Sequence, residues 1–273
     1  MADMQANRGE LTDEMAVRQW QVIAIETEQL VKRKDTNGGF AVASGSELAA
    51  DDALSDPYQA SHCVQHFIND GIDHLHAVTE LILGDQPVIH AAADYTLIRG
   101  ALELFGVAFW VLNPSVSRIR IERALQCTVQ NFIDQDSPTK DLGVPNYRPK
   151  NVNIAAVKDV AGAAGCSKTQ VRGGYKSTHV MDYAAKETGI EPNPRIMWQL
   201  CSGFAHGRQW ATLGMSELEI SPTIDQGISL VRATTDHKRL LCCGLPAFLL
   251  MRETVRLFEQ RASQPAEAPD RLR

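Results

Sequence analysis

The chain has 273 residues, enough for one large domain or two small ones, and 44 % of them are apolar, which suffices for a real core. The formal net charge of −6 excludes the global basic field that advertises nucleic acid. The six cysteines (63, 127, 166, 201, 242 and 243) include no C-x-x-C pair and form no dense framework, so they read as reduced thiols, mostly in the core. Residues 1–9 contain no apolar stretch of signal-peptide type, and a cytoplasmic protein is expected.

Residues 1–10 read as disordered, and 11–34 as a first helix with Met15, Trp20, Ile23 and Leu30 on its apolar side. Basic residues at its end, then Asn37, Gly38 and Gly39, terminate it. Residues 40–54 are small and acidic and read as a flexible loop. Asp56 followed by Pro57 has the form of an N-cap and a first helical position, opening a second helix that runs to about 83, with Gly71 as a point of bending. A turn at 84–87 leads into 87–112, which is apolar on almost every side. Such a helix is either a membrane span or the centre of a bundle. His90, Asp94, Arg99 and Glu103 within it argue against lipid and for a bundle centre. Arg99 and Glu103, four apart, are expected to form the ion pair of the core.

Asn113 and Pro114 end that helix and open another over 115–134. Residues 135–153 contain three prolines and read as a loop, with a short strand pairing conceivable within 142–153. A short-helix region with a basic bias follows over 154–189. Asn193 and Pro194 cap a further helix through 215, and Ser221 and Pro222 open a final one to about 263, broken or kinked near 244–246. The expected fold is therefore all-α: an antiparallel bundle of five to seven helices over 55–262. A helix and loop precede it at 1–54, short helices are inserted at 136–192, and a disordered tail follows at 263–273.

Three stretches carry candidate chemistry. His62, His66, Asp70 and His74 follow one another at i+4 steps, a spacing at which two imidazoles can chelate a divalent metal. The stripe drifts by about 40° per step, so four residues on a straight helix cannot serve one ion. The alternative is a polar face of imidazoles bonded to carboxylates, and no metal or cofactor is assigned. The segment 202–210 places Ser202, His206 and Trp210 on one face, with Arg208 beside the imidazole. His206 reads as a general base in a cleft, or as a packing residue of a helix approached closely through Gly203 and Gly207. Between 148 and 176, six Lys or Arg face one acid, Asp159, a local basic patch inside an acidic protein.

Two resemblances attach to these residues. Arg99 and Glu103 in a central helix ending in W-x-L-N-P, the helix SRIRIERAL and the late segment LCSGFAHG resemble uncharacterised bacterial helical proteins similar in outline to the HEPN-like superfamily. The resemblance covers roughly 57–135 and 194–262. It implies an antiparallel bundle that pairs as a homodimer. In the active members, it also implies metal-independent RNA cleavage by an R-x(4–6)-H motif. Arg172 with His179 and Arg232 with His237 have that spacing; the second pair, expected on a helix, is the better candidate, and His206 is a second source of the imidazole. The segment 156–172 resembles the helix-turn-helix of LacI-type repressors through Asp159, Val160, Ala161, Ala164, Gly165 and Ser167. It implies DNA contact by Lys158, Lys168, Gln170, Arg172 and Lys176, the alternative being a helical excursion over one face of the bundle. RNA or DNA is thus the expected partner, and no membrane.

Overall fold

A computed structural model describes residues 11–36, 38–223 and 227–263. The fold is all-α, with one small hairpin. In chain order the elements are α1 (Asp13–Lys34), α2 (Glu47–Ser55), α3 (Ala60–Leu83), α4 (Ala93–Leu112), α5 (Ser117–Asp141), α6 (Lys150–Ala163), α7 (Lys168–Arg172), α8 (Ser177–Thr188), α9 (Pro194–Ala205), α10 (Gln209–Met215), β1 (Glu217–Pro222), β2 (Ser229–Thr234) and α11 (His237–Ala262).

The centre is α4. It packs against α3, α8, α9 and α11, while α1 closes the outside against α3 and α11. Tyr95, Ile98, Leu102, Phe105 and Phe109 of α4 lie fully inside. By length and composition α4 could cross a bilayer, yet most of it is enclosed by the other helices. It starts at Ala93 rather than near Pro87. The buried Asp94 carboxylate turns back to accept the His90 backbone N–H at 2.8 Å, which holds the incoming chain in a non-helical approach. Burial pushes the Asp94 carboxyl above the usual range, against the lowering effect of the His90 contacts.

Local signals build the outer helices. Thr12 caps α1 by accepting from Met15 N, acidic residues occupy its first turn, and Lys32, Arg33 and Lys34 occupy its last, as the helix dipole favours. Its buried stripe is Ala16, Trp20, Ile23 and Thr27; Met15 faces outward. The indole N–H of Trp20 donates to His237 O at 3.1 Å, fastening α1 to the start of α11. Gly71 lies within the helical span of α3, buried on the face toward α4; a Cβ there would sit 2.7 Å from Phe105, so the residue serves close approach.

Several expected boundaries are corrected. Residues 47–55, read as loop, form α2, capped by Ser46 accepting from Ala49 N. Asp56 and Pro57 lie in the turn after α2, and α3 begins at Ala60. α5 continues through Pro138 to Asp141, and the 142–149 segment leads into α6 with no strand. The final helix does not begin at Ser221 and Pro222. Those residues belong to β1, paired antiparallel with β2 in the register Glu219 to Arg232 and Ile220 to Val231. α11 starts at His237, capped by Asp236 accepting from Arg239 N, and continues through Gly244 and Pro246. The N-terminal segment is integral to the bundle, since Trp20, Ile23 and Leu48 share the main core. The expected insertion divides. α8 joins the main core through Val180, Met181 and Ala184, whereas α6 and α7 build a second core on α5 from Ile121, Leu125, Val129, Val157, Ala161 and Val171. The expected disorder at 1–10 and the tail from 264 lie outside the described residues.

The deepest ion pair is not on α4. Arg120 of α5 and Asp51 of α2 are 1 % and 0 % exposed, and the guanidinium grips the carboxylate with two N–H groups at 2.6 and 3.1 Å. Arg120 also donates to the carbonyls of Pro114 and Ser115, both at 3.0 Å. Beside it Arg261 of α11 pairs with Glu47 and donates to Pro114 O at 3.2 Å. Removing the Asp51 carboxylate leaves the buried Arg120 only Glu47, 3.3 Å away and shared with Arg261, and breaking a buried pair in this way commonly costs about 3–5 kcal/mol. Asp51→Ala is therefore expected to lower the urea midpoint sharply, and the double change Asp51→Leu with Arg120→Met to recover most of the loss. Equal stability of Asp51→Ala and the parent would show that the pair contributes nothing.

Candidate nucleic-acid interface

α6 buries Asn153, Val157 and Ala161, a stripe at i, i+4 and i+8, against α5 and α7. Its chain then turns through Ala164 and Gly165. Gly165 adopts φ +71°, a conformation that L side chains rarely take, and this reverses the chain within four residues. Ser167 caps α7 by accepting from Gln170 N at 3.3 Å, and the Ser167 N–H donates to Glu122 of α5 at 2.8 Å. Val171 plugs into the second core, while Lys168, Thr169, Gln170 and Arg172 face solvent. The geometry is thus a helix, a glycine turn and an exposed second helix. α7 is short because Gly173 and Gly174 follow Arg172. Gly174 takes φ +62° and lies against Gln130, where a Cβ would approach its Oε1 to 2.4 Å.

Charge on this edge is unevenly neutralised. Lys150 lies 3.5 Å from Asp136, and Lys168 lies 3.7 Å from Asp159. Arg148, Lys158, Arg172 and Lys176 make no ion pair among the described residues, and all but the partly buried Lys158 are exposed. Glu122 already occupies the start of α7, so cationic side chains, not the helix end, are available to an anion. Five residues of helix rise only about 7.5 Å, so α7 offers a single turn to a groove.

The other candidate residues lie elsewhere. Along α3, His66 Nε2 is 3.5 Å from Asp70, and the His74 ring contacts Asp70 O at 2.8 Å and packs against Gly100 of α4. Among the described residues no group of three or more His, Cys, Asp or Glu is placed to hold a metal. The predicted helix over 194–215 breaks. α9 ends at Ala205, and α10 folds back so that Trp210 and Ala211 cover Gly203. Gly207, at φ +62°, makes that turn and has no neighbour at its would-be Cβ, correcting the expected small-residue strip. His206 is exposed at the end of α9. Arg232 is on strand β2 and not on a helix. It is 75 % exposed and sits 3.6 Å from Glu219 across the hairpin. His237, the first residue of α11, points its ring to Ile82 O at 3.5 Å. His179 is exposed on α8, behind the α7–α8 turn from Arg172.

A polar cluster joins α4, α8 and α9, and the spacing of Arg99 and Glu103 was its only sign in the sequence. Arg99 Nη2 lies 2.9 Å from Glu103, and its Nε donates to Ser202 at 2.9 Å. Glu103 also accepts from Ser177 at 2.6 Å and from the Trp198 indole at 3.1 Å. Both side chains are half-buried, 30 % and 21 % exposed, not sealed in the core as expected. Its donors come from α4, α8 and α9, which suits a joint between helices.

The chain matches no family model, no curated protein and no solved structure.

Losing Glu103 leaves three donors on three helices without their acceptor. Glu103→Ala is expected to cost about 1–3 kcal/mol in urea unfolding. Glu103→Gln should lose less, because its amide oxygen still accepts from Ser177 or Trp198. If alanine and glutamine prove as stable as the parent, the cluster is no joint.

Proposed function

We propose that this chain is a non-catalytic nucleic-acid-binding module, a helical bundle of HEPN-like outline. Its α6–α8 edge takes the phosphate backbone. The observation that carries this reading is the set of cations without acidic partners among the described residues, Arg148, Lys158, Arg172 and Lys176, gathered on adjoining segments of an acidic protein. Phosphate contact by such side chains releases counterions and gives salt-dependent, sequence-tolerant affinity. The helix, glycine turn and exposed second helix favour duplex DNA as the target, with Lys168 and Gln170 on the outward side of α7. The shortness of α7 favours positioning on the backbone over reading of base edges.

Ribonuclease action through Arg232 and His237 has less support. The guanidinium is engaged by Glu219 on the hairpin, and the imidazole faces the C-terminal end of α3. Convergence of both on one phosphate would need the hairpin or a second copy to deliver Arg232.

The test is fluorescence polarisation with a short labelled duplex and a single-stranded RNA over a series of salt concentrations. The parent is expected to bind the duplex with a negative salt slope. Lys158→Ala, Arg172→Ala and Lys176→Ala combined should weaken binding and reduce that slope by about 1 for each phosphate contact removed. An unchanged slope in the triple variant would remove the interface from this edge. Metal-independent RNA cleavage by the parent, abolished by His237→Ala or His206→Ala with the fold intact, would replace this reading with a nuclease.

A further inference from the structure

The cleft between α3 and α5 carries an inference independent of nucleic-acid binding. It encloses about 500 Å3 and is lined by His62, Cys63 and His66 of α3, by Cys127 and Gln130 of α5, and by Tyr175 before α8. Cys63 is half-buried and Cys127 is 5 % exposed, so the cleft gives a small solute access to the first and shelter to the second. Both thiols face this one cleft, and burial, then the Cys63 thiol beside it, holds the Cys127 thiol well above the usual range. Both also act on the Tyr175 hydroxyl.

We propose that Cys63 and Cys127 form a peroxide-reactive dithiol, an oxidative modification site that closes into a disulfide between α3 and α5. Cys63 reacts first because it is the accessible sulfur, and His62 and His66 supply bases at the same cleft for its proton. The Cys63 sulfur bonds one oxygen of hydrogen peroxide, the O–O bond breaks, and the departing hydroxide leaves as water with the thiol proton. The Cys63 sulfenic acid is then attacked by the Cys127 sulfur. The S–O bond breaks, the Cys127 proton goes to the departing oxygen, and a second water leaves. Two thiols have been oxidised by two electrons, and one peroxide has been reduced to two waters.

A second thiol pair supplies an internal control. Cys201 of α9 and Cys243 of α11 are also neighbours, and both are 0 % exposed. Cys243 further contacts the Met197 sulfur at 3.8 Å. That pair is sealed in the core, whereas Cys242 is exposed.

The experiment treats the full chain with hydrogen peroxide, alkylates the remaining thiols, and maps the unreduced digest by mass spectrometry. The expected result is a cross-linked peptide joining positions 63 and 127, reversed by dithiothreitol, with Cys201 and Cys243 still alkylated. Cys127→Ser should arrest the reaction at a Cys63 sulfenic acid that dimedone captures, and Cys63→Ser should leave Cys127 reduced. Three results would overturn the proposal: both thiols remaining alkylatable at a peroxide dose that oxidises Cys242, Cys63 passing to the sulfinic acid without a cross-link, or all six thiols reacting alike.

Discussion

The bidentate grip of Arg120 on Asp51 is the constraint on which the arrangement of this bundle depends. A guanidinium buried to this degree is tolerated only when its N–H groups are taken up, and here they are. Asp51 takes two, the carbonyls of Pro114 and Ser115 take the pair on Nη1, and Glu47 lies 3.3 Å from Nη2. Those carbonyls follow the last turn of α4, where the backbone runs out of helical partners. Arg261 adds Leu112 O and Pro114 O to the same set and pairs with Glu47. One polar knot thus ties α2, α5 and α11 to the end of the central helix and fixes where α5 leaves the core.

That exit determines what can be functional. With its first turns held at the knot, α5 carries its apolar side away from α4, and Ile121, Leu125 and Val129 become the floor of a separate small core for α6 and α7. The pair rests on α5, and its outer surface is free of the bundle. Lys158, Lys168 and Arg172 lie there, on helices that do not pack against α4. On the far side of α5, its contact with α3 forms the cleft with Cys63 and Cys127. The proposed phosphate contact and the proposed thiol chemistry would therefore have α5 as a common scaffold while using different faces of it.

The site on α4 has the opposite character. Arg99, Glu103, Ser177, Trp198 and Ser202 bring three helices together, and each polar atom that reaches the carboxylate is satisfied from within the protein. An arrangement so closed on itself positions α8 and α9. Because α8 begins directly after the basic edge, the joint also sets where Lys176 stands.

Much of the helical architecture was legible in the residues because its signals are local. The caps at Asn193 and Ser167 and the glycine turn at Gly165 act within a few residues of their own backbone, and all are found in place. The apolar run of α4 marked the bundle centre for the same reason. Elsewhere a local signal lost to a distant partner. Ser221 and Pro222 have the form of a helix start, but β1 exists only because β2 pairs with it, and that hydrogen bonding is not encoded at either strand alone. Residues 47–55 look too small and acidic for a core element, yet Asp51 is required inside by an arginine 69 residues away. Arg118, Arg120 and Arg123 are alike in sequence, and which of them is buried depends on the knot. Sequence by itself determined the all-α class, the central helix and the composition of the basic stretch. Tertiary structure decided which charges are paired, which are left to solvent and which thiols share a cleft, because each of those facts depends on residues far apart in the chain.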